Sequence, residues 1–184
     1  MVGSADINED IIEVLYTREQ IREAAQELGA RISADYAGKE LLLVGILKGG
    51  VYWLTELSQA ISIPCEIDFM AVSSYGNSTQ SSGVVRVIKD VADDLTGYSV
   101  IIVEDVLDSG VTLDYLVKDL RARNAESVEV AVLLRKKGTQ KVDIACRYEA
   151  FDAPGSFLVG FGLDYAEGYR NLPYIGVLSP EVYS

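Results

Sequence analysis

The chemistry-bearing residues of this 184-residue chain are concentrated in one stretch, Val100 to Thr112, which reads VIIVEDVLDSGVT. Its first four apolar residues, Val100 to Val103, predict a buried strand. Two carboxylates, Glu104 and Asp105, follow at the carboxyl end of that strand, where open α/β sheets bind ligands. A short loop with Asp108, Ser109, Gly110 and Val111 then opens, at Thr112, onto a helical stretch. Small residues let backbone N–H groups approach a phosphate, and a helix N-terminus adds a favourable field. The hydroxyls of Ser109 and Thr112 can donate to phosphate oxygens. Carboxylates beside an anion site make sense if the ligand has two surfaces. Acids suit sugar hydroxyls or a bound metal, and the loop suits a phosphate; a sugar phosphate carrying a metal-bound pyrophosphate has both. An isolated DSGVT reads only as a capped helix start. The ordered run of strand, acid pair and loop is far more specific.

Composition narrows the chemistry. The chain has no histidine, so a general acid or base must be Asp, Glu, Lys, Tyr or Cys. A metal site must be oxygen-rich, which favours magnesium over zinc. Cys65 and Cys146 are too far apart for a zinc or redox motif, and their apolar neighbours predict buried free thiols. A net charge of −12, from 16 basic and 28 acidic residues, argues against nucleic acid as a partner, because phosphate contacts need a positive surface. An anionic substrate must be held by backbone amides, a few basic residues and a metal ion. Apolar runs such as Leu41 to Leu47 are strand-sized, short of the ~18–20 residues that span a bilayer, so no membrane partner is expected. The N-terminus, MVGSADINEDIIEV, is acidic and lacks the succession of a signal peptide. A cytoplasmic location is the expectation.

The elements that must position these residues follow from pattern. Ile21, Ala24, Ala25, Leu28, Ile32 and Tyr36 make a helical stripe over Arg18 to Tyr36, with Thr17 and Gln20 as a capping box. Leu41 to Leu47 predicts a strand buried on both faces, broken by Gly49 and Gly50 before a helix over Val51 to Ala60. Ile63 to Val72 is the next strand. The polar stretch Ser73 to Gly83 reads as a long functional loop, and Val84 to Ile88 as an arm carrying it. Further strands are expected at Ser99 to Glu104, Val128 to Leu134, Ile144 to Ala150, Phe157 to Gly160 and Tyr174 to Val177, with a helix over Thr112 to Arg123. Alternating strands and helices predict an α/β fold with a parallel sheet. The length suits one domain and is short for two.

VIIVEDVLDSGVT resembles the phosphoribosyl pyrophosphate motif of type I phosphoribosyltransferases. LKGG (Leu47 to Gly50), SSYGNSTQSSG (Ser73 to Gly83), LLRKK (Leu133 to Lys137) and FLVGFGLDYAEGYRNL (Phe157 to Leu172) resemble hypoxanthine-guanine phosphoribosyltransferases, in the same order along nearly the whole chain. The resemblance implies a central parallel sheet flanked by helices, with a small hood from about residues 1–16 and 150–184 on a single domain, 1–184. It implies that Glu104 and Asp105 hold the ribose hydroxyls directly or through Mg2+, and that Asp108 accepts the proton at purine N7. Ser109, Gly110, Val111 and Thr112 bind the 5-phosphate, and Lys48, Gly49 and Arg170 the pyrophosphate. The peptide joining Leu47 to Lys48 can be cis in the family, and the same is expected here. Lys136, with Lys137 one residue away, reads the 6-oxo group; Phe157 stacks on the base, Leu158 offers backbone groups to its edge, and Asp164 binds a second Mg2+. Ser74 and Tyr75 begin a loop that closes over the reacting centre. Each of these motifs alone has a bland reading: LKGG as a strand-to-helix turn, the lysines as a solvated strand end, Phe157 as core. Their joint order carries the resemblance.

The implied activity is transfer of the phosphoribosyl group from phosphoribosyl pyrophosphate to hypoxanthine or guanine in purine salvage, by a homodimer or homotetramer. A xanthine-preferring relative is the neighbouring alternative. A nucleotide-sensing, RNA-binding regulator on the same fold is disfavoured by the acidic charge. A dinucleotide-binding domain is disfavoured because no G-x-G-x-x-G follows a strand.

Overall fold

The computed structural model describes residues 6–74 and 85–183. Helix α1 (Arg18–Asp35) begins at the expected capping box: the Gln20 amide donates to Thr17 Oγ1 (3.3 Å), and the Thr17 amide donates to Gln20 Oε1 (2.9 Å). This satisfies two N–H groups that the first helical turn leaves without partners. Its stripe of Ile21, Ala25, Leu28 and Ile32 is buried.

Six strands form the main sheet: β2 (Glu40–Leu47), β3 (Glu66–Ser74), β4 (Val85–Lys89), β5 (Tyr98–Leu107), β6 (Ser127–Lys136) and β7 (Tyr148–Ala153), in the order β4-β3-β2-β5-β6-β7. All neighbours are parallel except the antiparallel edge pair β3 and β4. Alternation along each strand divides the core into two layers. Leu41, Leu43, Ile101, Val103, Ala131 and Leu133 face α1 and α2 (Gly50–Ala60), where Trp53, Leu54 and Leu57 are buried. Leu42, Val44, Val100, Ile102, Val128, Val130 and Val132 face α3 (Val111–Arg121) through Leu113, Leu116 and Leu120. A strand buried on both sides has to read as a continuous apolar run, as β2 and β5 do.

Chain order reverses between β2 and β5: β3 lies to one side of this pair and β6 to the other. That is a topological switch point, and ligands bind in the crevice at its carboxyl end. A second, three-stranded sheet caps this end of the molecule. Strand β1 (Ile11–Tyr16) pairs antiparallel with β9 (Ile175–Leu178), which pairs antiparallel with β8 (Leu158–Val159). Val159, Tyr169, Leu172 and Leu178 form its own small core. Tyr169 Oη donates to Asp10 Oδ2 (2.7 Å) and Tyr174 Oη to Asn8 Oδ1 (2.6 Å), tying the two chain ends together. A short turn, α4 (Pro180–Tyr183), follows.

Several boundaries differ from expectation for physical reasons. Strand β3 starts at Glu66 rather than Ile63; Pro64 cannot donate to a ladder. Ile144 is a buried loop residue packed in the α3 layer, and β7 starts only at Tyr148. Residues 150–153 therefore belong to the main sheet, and the chain turns toward the small sheet after Ala153. Strand β5 continues past the acid pair to Leu107, because pairing with β6 persists through Val106↔Leu134 and Leu107↔Arg135. Glu104 and Asp105 thus sit inside the last turns of a strand, not beyond it. Both cysteines are free and only part-buried. Among the described residues no helix is long and apolar enough to cross a membrane.

Candidate active site

The carboxyl ends of β2, β5 and β6 converge under the small sheet. Burial pushes the Glu104 carboxyl well above the usual carboxylate range, and the charge of Asp105 adds to the effect. Burial likewise raises Asp105, moderated by its hydrogen bonds and by the Arg170 guanidinium. A pair of adjacent acids is costly to ionise away from water, so the site holds acceptor oxygens that call for a cationic or hydroxylated partner.

After β5 the chain forms the expected loop. Gly110 is the N-cap of α3 at φ +80°, a left-handed conformation that glycine adopts without steric cost. The loop is pinned from below: the amides of Lys141 and Val142 donate to the Ser109 carbonyl (2.9 and 3.4 Å). Thr139 Oγ1 and Gln140 Nε2 both donate to the Asp108 carbonyl at 3.2 Å. The carbonyls thereby point toward the neighbouring 139–142 segment. The amides of Val111, Thr112 and Leu113 occupy the first turn of α3, where no intrahelical acceptor exists. A cavity of about 220 Å³ lies over this turn, lined by Glu104, Asp105, Asp108, Ser109, Gly110 and Thr112. Its size and ring of donors suit a phosphate group.

On the β2 side, the Leu47–Lys48 peptide is cis. Gly49 is wedged against two other segments. A Cβ there would stand 1.7 Å from Asp105 Oδ2, and a Cβ on Gly162 (φ +103°) would stand 2.2 Å from the Gly49 carbonyl oxygen. Lys48, Asp164, Glu167 and Arg170 form a connected cluster above. Arg170 Nη2 lies 2.8 Å from Asp164 Oδ1, and Arg170 Nη1 donates to the Gly162 carbonyl (2.7 Å). One oxygen of Glu167, Oε2, sits 2.9 Å from Lys48 Nζ and 3.5 Å from Arg170 Nη2.

On the β6 side, Lys136 ends the strand and its Nζ lies 3.2 Å from Asp108 Oδ2. Lys137 lies just past the end of β6, and its Nζ pairs with Asp152 Oδ2 at 2.6 Å. Their partners distinguish the two lysines: Lys136 meets Asp108 and Lys137 meets Asp152. Lys136, Asp105, Asp164, Phe157 and Leu158 line a second cavity of about 490 Å³. Phe157 is 39% exposed, so it is a wall of this cavity and not a core residue.

The structure thus brings together Lys48, Gly49, Glu104, Asp105, Asp108, the Ser109–Thr112 loop, Lys136, Phe157, Leu158, Asp164 and Arg170. Ser74 is the last residue of β3; Tyr75 lies outside the described residues. Among the described residues no three acidic or thiol side chains gather into a ready-made metal cage. Glu167, Gly162, Gln140 and Tyr183 also shape the site and were not anticipated. Glu167 stands within DYAEGYR, but a lone acid in a turn carries no signal of the cations it meets. Tyr183 is far from every motif in sequence.

A parallel sheet with a switch-point phosphate loop, an acid pair and a capping hood defines a phosphoribosyl-transferring enzyme class, and the match to known proteins agrees. The family model for the phosphoribosyl transferase domain matches residues 13–166. The hypoxanthine-guanine phosphoribosyltransferase of Streptococcus agalactiae is 52% identical over 178 residues, covering 97% of this chain and 99% of that protein. The enzyme of the same name from Mycobacterium tuberculosis is 50% identical, covering 95% and 89%. The crystal structure of a hypoxanthine phosphoribosyltransferase from Staphylococcus aureus superposes with a TM-score of 0.93 at 44% identity, covering 99% of this chain and 100% of that one. The chain belongs to the phosphoribosyltransferase family, among its hypoxanthine-guanine phosphoribosyltransferases, and is a transferase of purine salvage.

Proposed function

We propose that this chain transfers the 5-phosphoribosyl group of phosphoribosyl pyrophosphate to hypoxanthine or guanine, with the roles divided along the crevice as follows. The observation that carries the assignment is the pair Lys136 and Asp108, 3.2 Å apart, with Lys136 lining the larger cavity and Asp108 the smaller one beside it. On a 6-oxopurine, O6 and N7 are neighbouring atoms on one edge. A donor and an acceptor this close match that edge. Lys136 donates to O6, and the Asp108 carboxylate accepts the proton on N7. Adenine carries a 6-amino donor that would face the Lys136 ammonium, so the pair disfavours it.

Phe157 stacks on the base and Leu158 presents its backbone to the base edge. The 5-phosphate sits over the first turn of α3, held by Ser109, Gly110, Val111 and Thr112. Glu104 and Asp105 face the ribose hydroxyls, and Lys48, the Gly49 amide and Arg170 face the pyrophosphate. Purine N9 bonds to the anomeric carbon as the bond to the pyrophosphate oxygen breaks, with inversion. The proton leaves to Asp108, and Arg170 and Lys48 offset the charge gathering on the leaving group. Two partly buried, hard-oxygen carboxylates whose ionisation desolvation opposes fit a divalent cation. Glu104 and Asp105, with Asp164 on the pyrophosphate side, would hold Mg2+ jointly with substrate oxygens, the usual mode for this ion. Its contribution when bound is neutralisation of pyrophosphate charge.

A spectrophotometric assay with phosphoribosyl pyrophosphate, Mg2+ and each of hypoxanthine, guanine, xanthine and adenine tests the acceptor class. Asp108→Asn tests the proton acceptor: general acid–base groups contribute roughly 10²–10⁴-fold, so turnover should fall by at least about 10². Near-normal turnover would refute the role. We further propose a cytoplasmic homodimer or homotetramer, to be checked by sedimentation and fractionation.

A further inference from the structure

Tyr183, near the C-terminal end, stacks on Phe157 with ring centroids 5.0 Å apart and planes inclined by 28°. A third ring, Tyr165, meets Phe157 edge-on at 5.6 Å and 88°. Tyr165 and Tyr183 are themselves only 6.3 Å apart. If the two tyrosines sandwiched Phe157, they would be separated by nearly the sum of their distances to it. The short separation instead places Tyr165 beside Phe157, near its edge, and among the described residues no aromatic ring covers the face opposite Tyr183. Tyr183 also lines the cavity that holds Lys136 and Asp164. Both Phe157 and Tyr183 are 39% exposed, so neither ring is held by deep burial. Their contacts with each other and with Tyr165 restrain them.

We propose that Tyr183 is a positioning residue for the purine acceptor: it backs Phe157 and holds that ring upright, so that its free face is presented to the base. This rests on the reading of Phe157 as the stacking platform. A phenyl ring that is over a third exposed has access to several rotamers, and a base that must first fix the rotamer binds more weakly. A stack on the rear face removes that freedom before the purine arrives. The C-terminal turn thereby sets acceptor affinity without touching the reacting atoms.

The test measures steady-state constants for Tyr183→Ala, Tyr183→Phe, Phe157→Ala and the double variant Phe157→Ala/Tyr183→Ala. Stacked aromatic pairs are worth enough to change an equilibrium about 2- to 10-fold. Tyr183→Ala should raise KM for hypoxanthine and weaken guanosine monophosphate binding by that factor, with kcat and KM for phosphoribosyl pyrophosphate within about twofold of wild type. Tyr183→Phe should restore both, since the stack needs the ring and not the hydroxyl. In the double variant the loss should equal that of Phe157→Ala alone, because Tyr183 acts through Phe157. An unchanged KM for hypoxanthine in Tyr183→Ala, a Tyr183→Phe variant as impaired as Tyr183→Ala, or fully additive losses would each overturn the proposal. If Phe157→Ala itself leaves purine KM unchanged, the platform reading fails instead, which keeps the two failures distinct.

Discussion

A single methyl group at Gly49 should disable the site while sparing the fold. The added Cβ would lie 1.7 Å from Asp105 Oδ2 and 2.6 Å from its Cγ, against ordinary non-bonded separations of roughly 3.5 Å. Something must move by about 1.5–2 Å. The obstructing atoms are the end of a side chain, so the cheapest relief is rotation of the Asp105 carboxylate out of the crevice. A misplacement of ~1 Å at a reacting centre can cost ~10²-fold; Gly49→Ala should lower kcat/KM for phosphoribosyl pyrophosphate by about that factor. Because no backbone has to shift, its melting midpoint should stay within about 3 °C of wild type, a change of roughly 1 kcal/mol at this chain length. Gly162→Ala is the contrasting case. Its Cβ would meet a backbone atom, the Gly49 oxygen, at 2.2 Å, and its φ is +103°. Overpacking costs ~1–3 kcal/mol and a left-handed non-glycine residue ~1–2 more, so this variant should melt at least about 5 °C lower. Kinetics and calorimetry on the two variants decide the matter. A Gly49→Ala enzyme with kcat/KM within threefold of wild type, or one melting as low as Gly162→Ala, would refute the reasoning.

Three further outcomes are expected. Lys136→Met removes the donor for the 6-oxo group and leaves Asp108 without its 3.2 Å partner; kcat/KM for hypoxanthine should fall about 10- to 100-fold and discrimination against adenine should narrow, as side-by-side assays would show. Arg123 grips Asp90 with both nitrogens (2.8 and 2.9 Å) and holds its carboxyl below the usual range. That contribution is present above the unfolded carboxylate pKa and is lost as pH falls through the depressed one. Asp90→Asn should therefore melt about 2–4 °C lower at pH 7, about 1 kcal/mol after allowing for the solvent exposure of Asp90, with the difference closing in acid. Burial pushes the Cys146 thiol up to about 12, so alkylation by iodoacetamide at pH 8 should be far slower than for a free thiol. The stability linked to this thiol is full below its unfolded value near 9 and is lost as pH rises toward 12. Cys146→Ala should flatten that part of the alkaline unfolding profile.

The elements of the fold were largely legible because the signals are local. The capping box of α1, the apolar runs of β2 and β5, and the glycine opening α3 each concern residues within a few positions of one another. The same holds for the acid pair and the phosphate loop, which one strand and one helix carry together. Boundaries were misplaced where a partner strand decided the outcome. Strand β5 runs to Leu107 only because β6 continues beside it, and Ile144 is spared from β7 because it fills the α3 layer as a loop residue.

The sequence by itself determined the alternation of strands and helices, the Glu104–Thr112 constellation and the order of the motifs that mark the family. Sheet order alone brought Gly49 against Asp105, because the β2–β5 neighbourhood at the switch point depends on how distant strands associate. The end of β6 separated Lys136 from Lys137 and gave them Asp108 and Asp152 as partners, a choice that adjacency in sequence could not make. Close packing under the hood set Gly162 on the Gly49 carbonyl, placed Glu167 between Lys48 and Arg170, and laid Tyr183 on Phe157. Those contacts join segments that share no local pattern. They exist only once burial of two apolar layers has folded the chain ends over the crevice.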